Sequence, residues 1–121
     1  MFHRKVITVA KKMTTGHLGG DVSVLSTPSM IMIIEMACAE FVQPYLEEGH
    51  NTVGTGVWID HTAPTLPGEK IAVTAVLTEV EEKKFSFAVQ VFNDTRIIAS
   101  GDHKRVVINT EKFIAHLTGK K

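Results

Sequence analysis

The 121-residue sequence holds one cysteine, Cys38. No disulfide can form within the chain, and no cysteine-built structural zinc site is available. Such usage suits a reducing compartment, and a cytoplasmic location is the expectation. The chain also lacks an excess charge of either sign, because thirteen Lys and Arg offset thirteen Asp and Glu. A balanced chain offers no general field for nucleic acid or an anionic membrane, so neither is expected as a partner. Long hydrophobic runs are missing too. The most apolar stretch, Met30 to Val42, is broken by Glu35 and Glu40 and is too short to cross a bilayer. The run Val6 to Ala10, flanked by Arg4, Lys5, Lys11 and Lys12, is too short for a secretory signal and reads as a first strand. No linker, repeat or low-complexity tract breaks the chain, which reads as one domain over residues 1–121.

What is present is an ordinary globular balance, 44% hydrophobic and 21% charged. A domain of this size can build a sound core but has little material left to enclose a deep pocket alone. Met13 to Ser26 is rich in Thr, Gly and Ser and reads as loop, with Gly16, Gly19 and Gly20 allowing unusual backbone angles. Thr27-Pro28 then predicts a helix start, with Thr as N-cap and Pro at the first helical position. The helix is expected to run through Met30, Ile34, Ala37 and Phe41 and to end by Pro44 to Gly49. Beyond it the apolar period becomes two: Val53 to Ile59, Ile71 to Leu77, Phe85 to Val91 and Arg96 to Asn109 read as strands. The connections at Pro67-Gly68, Glu81 to Lys84 and Asn93-Asp94-Thr95 are short, which requires antiparallel neighbours. A short helix from Glu111 to Leu117 closes the chain. The expected class is α+β with a single sheet.

Eleven of the thirteen residues from Met30 to Val42 are apolar or small. A helix of that kind must be covered on nearly every side. With one sheet available, the sheet has to curl round the helix, and a face left bare would meet a second copy of the chain. A long central helix wrapped by an antiparallel sheet is the hotdog architecture. Glu35 lies in the middle of this helix, where enclosure would desolvate its carboxylate, a recurring catalytic arrangement. The bland reading is a satisfied core acid or a solvated face, and Glu40 takes the solvated reading.

Thr27, Glu35-Met36-Ala37-Cys38, Pro44-Tyr45-Leu46, Gly54-Thr55, His61-Thr62-Ala63 and Pro67-Gly68 form an ordered series, continued by Gly101, His103, Val107 and Glu111-Lys112-Phe113. The series resembles the fluoroacetyl-CoA thioesterase-like family of hotdog thioesterases. The resemblance implies Thr27, Glu35 and His61 as the catalytic group and Gly54 beside the substrate. It also implies hydrolysis of an acyl-CoA to carboxylate and free CoA in a homodimer, with active sites at the subunit interface. A member selective for fluoroacetyl-CoA carries phenylalanines before the Thr, whereas Leu18 to Ser26 holds no aromatic residue here. A general short-chain acyl-CoA is therefore the expected substrate.

The residues suit that chemistry. Glu35 could attack the thioester or activate water, and His61 could orient it or pass a proton to the thiolate. The backbone N–H groups from Pro28 to Met30 could bind an oxyanion. In one regular helix the eight-residue step from Thr27 to Glu35 spans about 12 Å and turns by roughly 80°, so the two side chains could not touch. Either Thr27 sits in a folded-back loop or the site combines two chains. The other readings are plainer: Thr27 as a cap, Gly54 and Gly56 as a strand bulge, His61 as a structural histidine and Cys38 as core packing. His3, His17, His50, His103 and His116 show no ligand spacing, so no metal is expected. No cofactor is expected beyond the coenzyme A of the substrate. Its phosphates would draw on Arg96, Lys83, Lys84, Lys104 or Arg105. The alternatives are an enoyl-CoA hydratase or dehydratase of the same fold, which the Glu35-to-Cys38 segment does not resemble, and an acyl-CoA binding module without turnover.

Overall fold

The structure, a computed structural model, describes residues 1–16 and 22–119. Five strands form one antiparallel sheet: β1 (Phe2–Thr8), β4 (His50–His61), β5 (Lys70–Glu81), β6 (Lys84–Phe92) and β7 (Ile97–Asn109), in the spatial order β1-β5-β6-β7-β4. A helix, α1 (Thr27–Val42), lies across its inner face, and a short helix, α2 (Thr110–Leu117), follows β7. This is the wrapped-helix α+β arrangement anticipated from the element order. The connections are as tight as expected. Glu82 adopts a left-handed backbone (φ 52°) in the two-residue turn between β5 and β6. In the turn after β6, Asn93 Oδ1 accepts from the backbone N–H groups of both Thr95 and Arg96.

The loop expected over Met13 to Ser26 carries more order than its composition suggested. A 3₁₀ turn at Lys11–Met13 leads into a two-stranded ribbon, β2 (Thr14–Thr15) against β3 (Val24–Leu25). Gly19 and Gly20 lie outside the described residues. The ribbon sets the start of α1, because Ser26 N–H donates to the Met13 carbonyl. Ser26, not Thr27, is the N-cap: its backbone is extended and its hydroxyl accepts from Ser29 N–H. Thr27 and Pro28 occupy the first helical turn, which leaves the Thr27 hydroxyl free for another partner.

The buried residues of α1 are Met30, Ile33, Ile34, Ala37, Cys38, Phe41 and Val42, a stripe repeating at three and four residues. They pack on Ile71, Val73 and Ala75 of β5, Phe87, Val89 and Val91 of β6, and Ile98 and Ala99 of β7. The opposite face stays bare even though it is also apolar, with Met32 63% and Met36 50% exposed. Glu40 takes the rim position expected of it and pairs with Lys5 of β1 at 2.6 Å, a half-exposed contact of small worth.

The cap assignment is testable. Ser26→Ala should cost about 1 kcal/mol and lower the melting temperature by about 4 °C, while Thr27→Ala should leave it nearly unchanged. Thermal unfolding of both variants by circular dichroism checks this.

Candidate active site

The four site residues read from the sequence assemble as two pairs. Thr27, in the first turn of α1, meets His61, the last residue of β4, with Oγ1 2.9 Å from Nδ1. The other imidazole nitrogen, Nε2, is buried and has no partner among the described residues. The pair opens on a cleft of about 580 Å³ whose lining includes Val24, Leu25, Ala63 and Pro64. Among the described residues lining that cleft, none is aromatic apart from the His61 ring itself.

Glu35 lies two turns along α1, with its carboxylate against Gly54 near the middle of β4. A Cβ built on Gly54 would stand 2.7 Å from Glu35 Oε2 and 3.2 Å from His103 Cε1. Only glycine leaves the carboxylate its place. The register between β4 and β7 shifts between Gly54 and Gly56, the bulge expected of glycine in a strand. Gly54 therefore acts first on Glu35, a closer role than the substrate contact implied for it.

Two expectations do not hold within the single chain. Glu35 was expected to be enclosed, yet its side chain is 42% exposed, because it sits at the margin of the bare face of α1. The N–H groups expected to be open from Pro28 to Met30 are committed: proline has none, Ser29 donates to Ser26 Oγ and Met30 to the Ser26 carbonyl.

Arg105, expected among the cations open to the coenzyme A phosphates, is turned inward by the structure. Its side chain is 8% exposed, with Nε 2.7 Å from Thr52 Oγ1, Nη2 2.8 Å from the Thr52 carbonyl and Nη1 3.7 Å from Glu35 Oε2. His103 lies beside it, buried, with Nε2 3.2 Å from Arg105 Nη1. Desolvation lowers the pKa of both groups, and Glu35 opposes that for each. Both roles escaped notice because Ser100 to Arg105 is polar on both faces of the strand. The cross-strand register carried the signal, since His103 and Arg105 stand opposite Phe87 and Phe85 on the inner face. Lys83, Lys84, Arg96 and Lys104 remain exposed, with Lys104 over the Trp58 ring. Burial pushes the Cys38 thiol up to about 12, as suits core packing. Among the described residues no group of three or more His, Cys, Asp or Glu could hold a metal, and no helix is long and apolar enough to cross a membrane.

Comparison with known proteins gives this geometry a family. Residues 9–111 match the family described as fluoroacetyl-CoA-specific thioesterase. The chain belongs to that family. A relative, the fluoroacetyl-CoA thioesterase of Streptantibioticus cattleyicolor, is 40% identical over 97 residues, which cover 80% of this chain and 70% of its own. A crystal structure of a phenylalanine-to-alanine variant of the fluoroacetyl-CoA-specific thioesterase superposes with a TM-score of 0.91 at 34% identity, covering 100% of this chain and 95% of that one. A threonine-to-serine variant solved with acetyl-CoA gives 0.90 at 32%, covering 98% and 95%. A thioesterase superfamily member from Thermus thermophilus gives 0.87 at 26%, covering 98% and 88%. The protein is thus a hotdog-fold thioesterase, an acyl-CoA thioester hydrolase.

Two outcomes follow for this thioesterase. Gly54→Ala should leave the fold intact, because the atom it meets is the end of a flexible side chain, yet lower kcat by about tenfold by displacing the carboxylate. Steady-state kinetics beside a melting curve checks both halves. The second concerns pH. Burial lowers the His103 pKa, so between its folded value and about 6.5 the unfolded chain binds a proton that the folded chain refuses. Stability from this group is complete above about pH 6.5 and is lost as pH falls toward the folded value. Denaturant unfolding across pH 4.5 to 7.5 should show that slope, and His103→Gln should flatten it.

Proposed function

We propose that this thioesterase hydrolyses short-chain acyl-CoA at a site shared by two protomers, one supplying Thr27 and His61, the other Glu35 and Gly54. The observation that carries the proposal is the separation of the two pairs within one chain. His61 stands seven positions beyond Gly54 on β4, about 23 Å of strand, and Thr27 to Glu35 spans about 12 Å of α1. No regular adjustment of one chain closes that gap. An antiparallel pairing of β4 with its copy, placing His61 opposite Gly54 of the partner subunit, brings the halves together. β4 is suited to this, because it forms one edge of the sheet over twelve residues. Such an edge, next to exposed Met32 and Met36, is a surface that proteins normally cover. The same docking would enclose Glu35.

Within that site Glu35 delivers an electron pair to the thioester carbonyl carbon, directly or through a water it deprotonates. The C–S bond then breaks, and the departing CoA thiolate takes up the proton on His61 Nε2. Where Glu35 attacks directly, water hydrolyses the resulting mixed anhydride and frees the carboxylate; in either route a proton of the consumed water returns to His61. Thr27 holds the ring through Nδ1, which aims Nε2 at the reacting centre. Coenzyme A enters as part of the substrate, and this chemistry calls on no further cofactor. The small aliphatic lining of the cleft supports acetyl-sized and slightly longer acyl groups. Relatives solved with acetyl-CoA and with fluoroacetate fit the same size range, and without an aromatic lid we expect no strong preference for the fluorinated group. The lone buried thiol of Cys38 favours a reducing compartment, the cytoplasm.

Thiol release from acetyl-, propionyl-, butyryl- and fluoroacetyl-CoA tests this reading. Glu35→Ala and His61→Ala should each lose about 10²-fold or more in kcat, and Thr27→Ala less. Fluoroacetyl-CoA should be favoured over acetyl-CoA by less than about tenfold in kcat/KM, within the range that shape alone supplies. No release from any chain length would leave a binding module, and loss of crotonyl-CoA absorbance would indicate a hydratase. The solution mass should be at least twice the 13.3 kDa of the chain.

A further inference from the structure

We propose that His103 is a positioning residue for the Glu35 carboxylate and acts through Arg105. The proposal rests on the reading above only for the use made of Glu35; where the carboxylate is held is a separate matter and is tested separately.

A guanidinium carries five N–H donors and no acceptor. Two Arg105 contacts go to Thr52 of β4, from Nε to Oγ1 and from Nη2 to the carbonyl, and pin the fork to the strand that carries Gly54. The third nitrogen, Nη1, faces His103 Nε2 at 3.2 Å and Glu35 Oε2 at 3.7 Å. Because Arg105 can only donate, His103 Nε2 must carry its lone pair. The imidazole proton therefore sits on Nδ1, which donates to the Gly56 carbonyl at 2.8 Å. Every polar atom of the ring is satisfied in one neutral tautomer. A second proton would remove the acceptor and set two cations side by side, and burial already disfavours that form.

The other groups facing this cluster carry no competing charge. Cys38 of α1 is buried and stays a thiol, the Phe87 ring of β6 stacks on the imidazole with centroids 6.2 Å apart, and β4 presents Thr52, Gly54 and Gly56. Among the described residues Glu35 is the one carboxylate paired with Arg105. A buried cation with a single, partly exposed anion beside it draws that carboxylate inward, over Gly54, and out of the water it could otherwise reach. His103 takes one Nη1 hydrogen and leaves the other aimed at Oε2. Through Gly56 it also ties the same ring to the β4 bulge, so the bulge and the guanidinium move as one unit.

Two measurements on the full-length protein test this. The first follows the Glu35 side-chain carboxyl resonance by carbon-13 NMR at one fixed pH, with no substrate present. Arg105→Gln, which removes the group beside the carboxylate, should move the resonance. His103→Leu should move it in the same direction by less, and His103→Gln, whose side-chain oxygen can still accept from Nη1, should restore most of that difference. The second is steady-state hydrolysis of acetyl-CoA. His103→Leu should lower kcat by about tenfold or more while KM changes by less than about threefold. Should His103→Leu fail to fold, Arg105→Lys carries the test: it keeps the charge but loses the fork on Thr52, so the resonance should move and kcat should fall with KM little changed. A Glu35 resonance that is the same in wild type, Arg105→Gln and His103→Leu overturns the proposal. A moved resonance in an enzyme that keeps its activity in Glu35→Ala sustains the positioning and overturns the use proposed for Glu35.

Discussion

One sheet can cover only one side of one helix, and most of what distinguishes this protein follows from that. α1 is apolar or small on nearly every face, yet only the stripe from Met30 to Val42 packs on the inner face of the five strands. Met32 and Met36 are left in water, with Glu35 at the margin between the covered and the bare side. In the proposed assembly a second copy would satisfy the bare face, complete the edge of β4 and close over the carboxylate in a single association. It would give the thioesterase a pocket that 121 residues have little material to enclose by themselves. Folding economy and catalysis would then share one surface, and assembly would be a condition of activity.

The sheet's inner face is otherwise a plain apolar core, and the exception lies where β7 and β4 run side by side. There Thr52, His103 and Arg105 place hydrogen-bonded polar groups directly beneath the bulge at Gly54 to Gly56. Buried polar groups are costly unless satisfied, and these satisfy one another with a single charge left over, directed at Glu35. Glycine is required twice in this neighbourhood. At Gly54 a side chain would fill the carboxylate's place, and at Gly101 a Cβ would overlap the Trp58 carbonyl, so the backbones of β7 and β4 could not approach as they do.

Much of this was legible in the sequence because it follows from local rules. Period-two strands, short turns and one predominantly apolar helix determine an antiparallel sheet wrapped on α1. The distance between Thr27 and Glu35 along a helix already ruled out their direct contact. The N-cap was assigned one residue late because Ser26 and Thr27 are both competent caps, and the choice depends on the ribbon that holds Ser26 to Met13. The enclosure of Glu35 was inferred from its apolar neighbours, but those neighbours cover all faces of the helix while the sheet covers one. Arg105 was read as one of several cations open to coenzyme A, and His103 was given no role of its own, because β7 alternates polar with polar there. Only the pairing of β7 with β6 shows which set faces inward, and pairing is a non-local fact.

The central claim is that Glu35 works with His61 of the other protomer, and a mixed dimer tests it most directly. Differently tagged Glu35→Ala and His61→Ala chains, co-expressed and purified through both tags, give a dimer in which each chain carries one defect. If the site is shared, one of its two copies holds both defects and the other is intact, so the mixed dimer should regain about half of wild-type thiol release while both parent homodimers stay inactive. If Glu35 and His61 work within one chain, every site in the mixed dimer is broken, and a heterodimer as inactive as its parents would contradict the account.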